Sequence, residues 1–286
     1  MNAYLNKLEK ESINLIREVI TTNRIEDISC FYSIGKDSSV LLKLLEKAFY
    51  PEKIKISFLH IDTGWKFKEM YEFRDNISRK IDLKIYKHPA KLNPYTDGLR
   101  YTDVMKTEAL KDAIKKFDVK IAFGGSRREE EKSRAKERMI SIRDENYGWE
   151  PREQNCEINY LWNTHFDRNN TLRVFPLSNW SEIDIWEYIK RENIDVVPIY
   201  FSHYRNVEER NGHFFATEDD NSGEIRKVRF RTLGCYPLSA GIESDANSVD
   251  DIIEELKRTR YTERVGRVID YDQDGSMEIK KIKGYF

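Results

Sequence analysis

The sequence has little cysteine, which excludes the structural classes that depend on it. The cysteines are Cys30, Cys156 and Cys235, three in 286 residues. They are too few and too scattered for a disulfide framework or a paired-cysteine metal site. Sparse, unpaired cysteine is typical of proteins in a reducing compartment. We therefore expect a cytoplasmic protein.

The chain also lacks an excess of either charge and lacks long apolar runs. It has 49 Lys and Arg against 50 Asp and Glu, so its formal net charge is −1 although 35% of its residues are charged. This balance excludes a polycation that coats nucleic acid, and any anion site must come from local clustering. No apolar run approaches transmembrane length, and residues 1–10 lack the apolar core of a signal peptide. We expect a soluble protein with no membrane partner.

One stretch, residues 33–39, has the composition of a phosphate-binding turn. It follows an apolar run at 28–32 that predicts a buried strand, and it precedes an amphipathic helix pattern. Backbone N–H groups at a helix start lack partners, and the helix dipole favours negative charge there. Gly35 allows a ligand to approach the backbone, and Lys36 adds a positive charge. The candidate ATP-binding residues of this loop are Ser33, Gly35, Lys36, Asp37, Ser38 and Ser39.

This loop differs from the common P-loop. That motif requires glycine where Cys30 stands and serine or threonine where Asp37 stands. The alternative interpretation is a polar turn before a core helix, but the strand–loop–helix context favours phosphate binding.

Strand and helix patterns alternate along the first two thirds of the chain. Apolar runs at 54–61, 83–86, 119–123 and 172–175 predict further strands, and helical periodicity at 66–80, 107–117 and 182–189 separates them. This alternation predicts an α/β fold with a doubly wound, mostly parallel sheet. We assign a nucleotide-binding domain to residues 1–198. A smaller α+β extension with a hairpin, a helix and a basic tail takes residues 199–286.

Two further turns fall at the ends of predicted strands, where ligands of parallel sheets bind. Asp62 begins one of them, and is either a helix cap or a residue that orients a ribose or helps Asp37 to hold Mg²⁺. The other turn contains Gly124 and Gly125, which allow close backbone approach. Arg127 and Arg128 follow, with side chains suited to phosphate or sulfate. The three turns together predict one shared site.

The charged run after this turn has two interpretations. It is either a solvated helix or a mobile lid over an anionic nucleotide. The candidate lid residues are Lys132, Arg134, Lys136 and Arg138.

The last third of the chain changes in character. Asn211 and Gly212 predict a hairpin between residues 207 and 216. Alternation at 227–231 predicts a strand with a basic stripe, made of Lys227, Arg229 and Arg231. Residues 262–286 form a polar, basic tail that is either frayed or ordered by a partner.

Several long sequence motifs together resemble those of one family. They are YSIGKDSSV at 32–40, DTGWKF at 62–67, MYEFRD at 70–75, FGG at 123–125, RR at 127–128, EEKSRAKER at 130–138, RVFPLSNW at 173–180, VRFRTLGC at 228–235 and GYF at 284–286. The chain resembles the small, catalytic subunit of heterodimeric bacterial ATP sulfurylase (sulfate adenylyltransferase subunit 2), of the PP-loop ATP pyrophosphatase and PAPS reductase-like superfamily.

The resemblance implies adenylyl transfer from ATP to sulfate, with Mg²⁺, giving adenosine 5′-phosphosulfate and pyrophosphate. It implies a GTPase partner subunit, because forming the phosphosulfate anhydride is strongly uphill. On this basis the 33–39 loop, with Lys36 and Mg²⁺, takes the departing β- and γ-phosphates. Gly124, Gly125 and Asp62 frame the nucleoside. The expected catalytic residues are Lys36, Asp37, Arg127 and Arg128, the two arginines holding sulfate or the α-phosphate with help from Arg134.

Two departures from the family pattern leave an alternative open. The segment between residues 88 and 102 looks shorter than its family counterpart, and the loop at 154–157 departs from the usual pattern and contains Cys156. The alternative is an ATP pyrophosphatase of a DNA phosphorothioation system. It would activate a DNA phosphate or sulfur carrier, use Cys156 and Cys235 as a sulfur relay, and work with a cysteine desulfurase and DNA-modifying partners. A third hypothesis is a regulatory nucleotide-binding subunit.

Overall fold

The first part of the chain forms strands and helices in alternation. The computed structural model describes residues 3–157, 162–167, 169–210, 212–217, 223–258, 281–282 and 284. The strands in this part are β1 (Ile28–Phe31), β2 (Ser57–Asp62), β3 (Leu83–Lys87), β4 (Ile121–Phe123), β5 (Ile140–Arg143) and β6 (Thr171–Val174). The helices are α1 (Ala3–Thr22), α2 (Lys36–Phe49), α3 (Lys68–Ile77), α4 (Gly98–Thr102), α5 (Ala109–Lys116), α6 (Lys132–Ala135) and α7 (Glu182–Glu192).

The strands make one six-stranded sheet in the order β3-β2-β1-β4-β6-β5. All pairs are parallel except β5 with β6. The central strands β1, β4 and β6 are buried along their whole length, as expected where helices cover both faces. The predicted α/β fold with a mostly parallel sheet is therefore confirmed. Because β2 and β4 flank β1 on opposite sides, the end of β1 is the point where the strand order reverses, which favours a ligand crevice there.

The antiparallel edge strand β5 was not predicted, and the charged run before it is not one long helix. Helical turns cover only Arg128–Glu130 and Lys132–Ala135. The chain then turns so that Ile140 pairs with Val174 at the sheet edge. Met139 and Ile140 are buried there. The chain therefore leaves the helical conformation that the charge pattern predicts, and the apolar residues Met139 and Ile140 become buried instead.

The C-terminal part forms a small closed barrel with one helix. Its strands are β7 (His203–Arg210), β8 (His213–Ala216), β9 (Glu224–Arg229) and β10 (Ala240–Glu243), in the order β10-β8-β7-β9, followed by α8 (Val249–Arg258). The predicted hairpin is confirmed, because Arg210 pairs with His213 and Gly212 has φ +76°. Asn211 lies outside the described residues.

The predicted basic stripe on β9 is neutralised by acidic partners. Arg229 bonds Glu255, and Lys227 bonds Asp245 at 2.7 Å. Arg231, just after the strand, bonds Glu182 at 2.6 Å. The stripe is therefore part of the packing between the barrel and its neighbours rather than an open anion surface.

One hydrophobic core runs through both parts of the chain. Barrel residues Val207 and Phe230 belong to the same buried cluster as Ile34 and Tyr200. The division at residue 198 therefore stays a prediction. No helix within the described ranges is both long and apolar enough to cross a membrane.

Of the predicted basic tail, only three residues are described. Lys281 is buried and its ammonium bonds Glu137 at 2.5 Å. Its carbonyl accepts a hydrogen bond from the N–H of Trp149. Here the tail packs onto the sheet domain; the rest of the predicted tail (262–280, 283, 285 and 286) lies outside the described residues.

Candidate active site

The loop at residues 33–39 joins the end of β1 to the start of α2, and its backbone is strained. Ile34 has φ +73°, a left-handed conformation that a β-branched residue rarely adopts. Ile34 is also buried, so the surrounding core holds it in place. Strained backbone that the fold enforces is concentrated at functional sites. The loop therefore has a fixed shape before any ligand binds.

Tyr200 caps the helix that follows this loop, a contact that no sequence motif indicates. The Lys36 N–H donates a hydrogen bond to the Tyr200 hydroxyl at 2.8 Å. Ser38 Oγ donates to the Gly35 carbonyl at 2.8 Å. A Cβ on Gly35 would lie 3.3 Å from that tyrosine oxygen, so the small residue is needed for the close fit. Tyr200 lies far along the chain from Lys36, and no local pattern could connect the two.

Asp37 joins the loop to the glycine–arginine turn after β4. Arg127 Nε donates to Asp37 Oδ1 at 2.7 Å, and Lys36 Nζ lies 3.4 Å from Asp37 Oδ2. Arg127 is only 1% exposed. A Cβ on Gly125 would lie 3.3 Å from the carbonyl carbon of Asp37, so the glycine allows the two turns to touch. Gly125 thus lies against the predicted phosphate loop, residues 33–39, whereas the sequence interpretation assigned it to the nucleoside.

The two adjacent arginines have different surroundings. Arg128 directs its guanidinium to Asn179 Oδ1 at 2.6 Å and to Glu157 Oε2 at 3.2 Å. Neither Arg127 nor Arg128 is among the residues that line the cleft described next. The structure therefore brings Arg127, and not Arg128, into direct contact with the phosphate loop. A role for either side chain in holding sulfate stays a prediction.

A cleft of about 280 Å³ opens beside the loop. Three kinds of residue line it. The loop and the segment after β4 contribute Ser33, Gly35, Lys36, Asp37, Ser38, Gly125, Ser126, Glu130 and Arg134. An apolar wall contains Phe31, Leu59, Ile61 and Leu110. The remaining lining residues come from other parts of the chain: Tyr32, His60, Thr63, Lys66, Lys106, Tyr200, Thr232, Leu233 and Gly234. A cleft with apolar and cationic walls suits a nucleotide, because bases prefer apolar contacts and phosphates prefer cations.

Arg134 is the one predicted lid residue that lines the cleft within the described part of the chain. It is held by Glu130 at 2.7 Å and by Glu131 at 3.3 Å. Lys132, Lys136 and Arg138 are exposed and do not line the cleft. The structure thus supports one fixed basic residue here, and a closing lid stays a prediction.

Other predicted residues lie near the site without lining the cleft. Ser39 is buried and its hydroxyl lies 3.3 Å from that of Tyr32, while the Gly124 N–H donates to the Val174 carbonyl. Asp62 accepts hydrogen bonds from the Gly64 N–H, from Tyr71 and from Arg74. Burial raises the pKa of the Asp62 carboxyl, but the hydrogen bonds from Gly64 and Tyr71 and the charge of Lys66 outweigh it, so the pKa is lowered.

His60 is a cleft residue that sequence analysis missed. Its Nδ1 lies 2.8 Å from the Tyr32 carbonyl, so Nδ1 carries the proton and Nε2 is an acceptor. Burial, followed by the nearby Lys66, lowers the pKa of His60 to about 3. The imidazole is therefore neutral at physiological pH. Its only sequence signal is a polar residue inside an apolar strand.

Cys235 lies behind the cleft wall, while Cys156 is exposed. The sulfur of Cys235 lies 3.2 Å from both the Thr63 and the Tyr101 hydroxyls. Burial raises its pKa, but Lys106, Lys66 and the two hydroxyls outweigh it, so the pKa of this thiol is lowered. The three cysteines are free thiols, and nothing in the described contacts joins Cys156 to Cys235. A sulfur relay through them gains no support.

The carboxylates at the cleft fit a nucleotide-borne Mg²⁺ ion better than a metal held by the protein alone. No group of three or more His, Cys, Asp or Glu side chains within the described residues is arranged to bind a metal. Mg²⁺ commonly uses one or two carboxylates, substrate phosphates and water. Asp37 is placed for this at the phosphate loop. Asp62 does not line the cleft, and its metal role stays a prediction.

Comparison with known proteins agrees with this geometry. The profile of the phosphoadenosine phosphosulfate reductase domain matches residues 27–241. Sulfate adenylyltransferase subunit 2 of Shewanella amazonensis is 52% identical over 99% of this chain and 98% of its own length. The protein of the same name from Proteus mirabilis is 50% identical with the same coverage.

A solved structure shows the fold at greater distance. The Candida glabrata FMN adenylyltransferase in complex with ATP aligns with a TM-score of 0.53 at 17% identity, over 93% of this chain and 88% of that one. The phosphorothioation alternative finds no support among these relatives. The chain belongs to the phosphoadenosine phosphosulfate reductase domain family and, within it, to the sulfate adenylyltransferase subunit 2 family.

Proposed function

We propose that this protein cleaves ATP between the α- and β-phosphates and transfers the adenylyl group to sulfate, giving adenosine 5′-phosphosulfate and pyrophosphate. The observation that carries the proposal is the loop itself. The loop at residues 33–39 has a strained backbone and lies where the strand order reverses. Lys36, at the N-terminus of α2, lines the cleft beside it. The chain is also about half identical, over nearly its full length, to enzymes named for this reaction.

The cleft offers separate surfaces to the parts of ATP. The apolar wall of Phe31, Leu59, Ile61 and Leu110 suits the adenine ring. The 33–39 loop takes the β- and γ-phosphates, which leave as pyrophosphate. Phosphoryl and adenylyl transfers need little covalent help from a protein, so positioning and charge stabilisation supply most of the acceleration. Lys36 supplies that charge at the loop, and its place is fixed by Asp37 and by the carbonyl of Arg231 at 3.4 Å.

Mg²⁺ is part of this proposal. When bound, it neutralises the charge that develops on the leaving pyrophosphate. Asp37 is the residue that would hold it, with phosphate oxygens and water completing the coordination. The contacts of Asp37 with Arg127 and Lys36 hold its carboxylate in place beside the cleft.

We propose a second subunit as well. Relatives of this chain are named subunit 2 of their enzyme, which supports an assembly of at least two different chains. The chemistry favours a GTPase as that partner. Formation of the phosphosulfate anhydride from ATP and sulfate has an unfavourable free energy, so it needs a coupled reaction that releases free energy. The three free cysteines fit a reducing cytoplasm.

A product assay tests the proposal. The protein is incubated with ATP, Mg²⁺ and sulfate, with and without GTP and the GTPase subunit, and the adenylated product is identified by mass spectrometry. Sulfate-dependent adenosine 5′-phosphosulfate supports the proposal. Release of AMP and pyrophosphate without sulfate dependence contradicts it, and points to a different acceptor. No turnover under any condition points to a regulatory subunit.

A further inference from the structure

Two lysines of the cleft differ from its other cations, because neither has a carboxylate at ion-pair distance among the described residues. Lys36 pairs with Asp37, and Arg134 pairs with Glu130 and Glu131. Lys66 and Lys106 also line the cleft and are partly buried, yet neither forms an ion pair with any residue in the described part of the chain. A cation that is partly removed from water without a partner is unfavourable, so this pair is a candidate anion site.

The fold holds both lysines at one wall of the cleft. The backbone of Lys66 pairs with that of Cys235, and the Tyr236 N–H donates to the Trp65 carbonyl at 3.0 Å. Lys106 lies in a π-helical segment, Asp103–Glu108, a type of irregular turn that is frequent at functional sites. The segment 232–234 lines the cleft beside them. The wall is therefore built from three separate parts of the chain.

The two ammonium groups are close enough to affect each other. Burial lowers the pKa of Lys66, and the charge of Lys106 lowers it further, while Cys235 and Asp62 act in the opposite direction. A thiolate at Cys235 would neutralise at most one of the two charges, and its sulfur is already bonded by Thr63 and Tyr101. A bound dianion would neutralise both lysines at once.

We propose that Lys66 and Lys106 form the subsite for the acceptor oxyanion, the sulfate that attacks the α-phosphorus. This inference rests on the function proposed above. The loop, Lys36 and the α2 N-terminus already serve the departing phosphates, so the second cationic wall is available to the second anionic substrate. In the transfer step, a sulfate oxygen forms a bond to the α-phosphorus as the bond to the β-phosphate oxygen breaks, and pyrophosphate takes away the bonding electron pair.

This assignment differs from the one that the sequence suggested. Arg127 is held against Asp37 and Arg128 against Asn179 and Glu157, and neither side chain lines the cleft. The same lysine pair could instead hold the nucleotide triphosphate. Because both are polyanions, the experiment must separate sulfate from ATP.

Effects on sulfate binding and on ATP binding can be separated with Lys66→Gln and Lys106→Gln variants of the assembled enzyme. Initial rates of pyrophosphate release are measured against sulfate at saturating ATP, and against ATP at saturating sulfate. Loss of one hydrogen bond to a charged group corresponds to a tenfold or larger change, so the KM for sulfate is expected to rise about tenfold or more while that for ATP changes less than about twofold. Lys120→Gln, at a more exposed ion pair with Asp118, serves as the control.

Two outcomes of these rate measurements reject the inference. An unchanged KM for sulfate in both variants overturns the inference, and so does an equal rise in the KM for ATP, which assigns the lysines to the triphosphate. Lys66→Arg, which keeps the charge, is expected to recover part of the sulfate affinity and guards against a folding defect. If the wild-type enzyme makes no phosphosulfate, the proposed function fails; calorimetric titration of inorganic sulfate then tests the subsite alone, and equal affinity in wild type and variants rejects it.

Discussion

Replacing Glu137 by glutamine should destabilise the protein strongly. Glu137 is a buried acid, 4% exposed, that accepts hydrogen bonds from Arg143 and from Lys281, each about 2% exposed. The Lys281 contact is 2.5 Å long and attaches the end of the chain to the sheet domain. The Glu137→Gln substitution keeps the size and shape of the side chain but removes the negative charge that both cations contact.

The expected size follows from the burial of all three groups. Removing one partner of a buried ion pair costs about 3 to 5 kcal/mol, because the remaining charge stays in a poorly solvated place. Here two cations remain, and a third, Arg173, is buried nearby with its pKa lowered to about 9 by burial and by Arg143. At roughly 2 °C per kcal/mol for a chain of this size, the melting temperature should fall by about 6 to 10 °C.

Thermal and urea unfolding at neutral pH measure this change. Glu254→Gln removes an exposed acid that pairs with Lys257 and should leave the melting temperature unchanged. The double variant Glu137→Gln/Lys281→Met should regain part of the loss, because one of the stranded cations is gone. A shift below about 2 °C in the single variant, or strictly additive effects in the double variant, would refute the reasoning.

The pH dependence gives a second check with a defined sign. Burial alone raises the pKa of Glu137, but Arg143 and Lys281 outweigh it, so the folded-state pKa lies below its ordinary value of 4.5. Such an acid contributes its full stability above 4.5 and loses it as the pH falls through the folded-state pKa. The difference between wild type and Glu137→Gln should therefore be constant near neutral pH and shrink in acid. A difference that grows below pH 4.5 would contradict the assignment.

Three further predictions concern the phosphate loop. Lys36→Ala should abolish pyrophosphate release, measured in a coupled assay, and near wild-type turnover would contradict the role of this lysine. Gly125→Ala places a Cβ 3.3 Å from the backbone of Asp37 and should displace the loop, which weakens ATP binding about tenfold. A fluorescent-nucleotide titration measures this affinity, and an unchanged affinity would contradict the role of the contact. Tyr200→Phe removes the acceptor of the Lys36 N–H and should lower the free energy of unfolding, measured in urea, by about 1 kcal/mol. An unchanged free energy of unfolding would show that the hydroxyl does not stabilise the loop.

The parts that sequence predicted well are those set by neighbouring residues. The strand before residue 33, the helix after residue 36 and the loop between them lie within a single short stretch, so their pattern is visible in the sequence. Alternation of strands with helices was enough to predict a parallel sheet, because few other arrangements bury such strands on both faces.

The parts that sequence could not predict depend on which distant residues meet. Arg127 and Arg128 have the same side chain and adjacent positions, but one contacts Asp37 and the other Asn179. Only the path of the chain after β4 decides between them. Tyr200 and Lys106 reach the cleft from segments with no motif of their own. Residue type predicted what each cation can bind, and the fold decided which cations already have a partner.

That distinction bears on how the cleft would work. The cations with acidic partners, Lys36 and Arg127, fix the shape of a loop that is strained at Ile34. A loop held in this way needs no rearrangement as charge builds up on the leaving group, and preorganised charge of this kind is usually the largest contribution to catalysis. The lysines without acidic partners can instead bind and release a substrate anion, because no internal ion pair has to break first. One cleft can thus hold a leaving pyrophosphate firmly and exchange its acceptor readily.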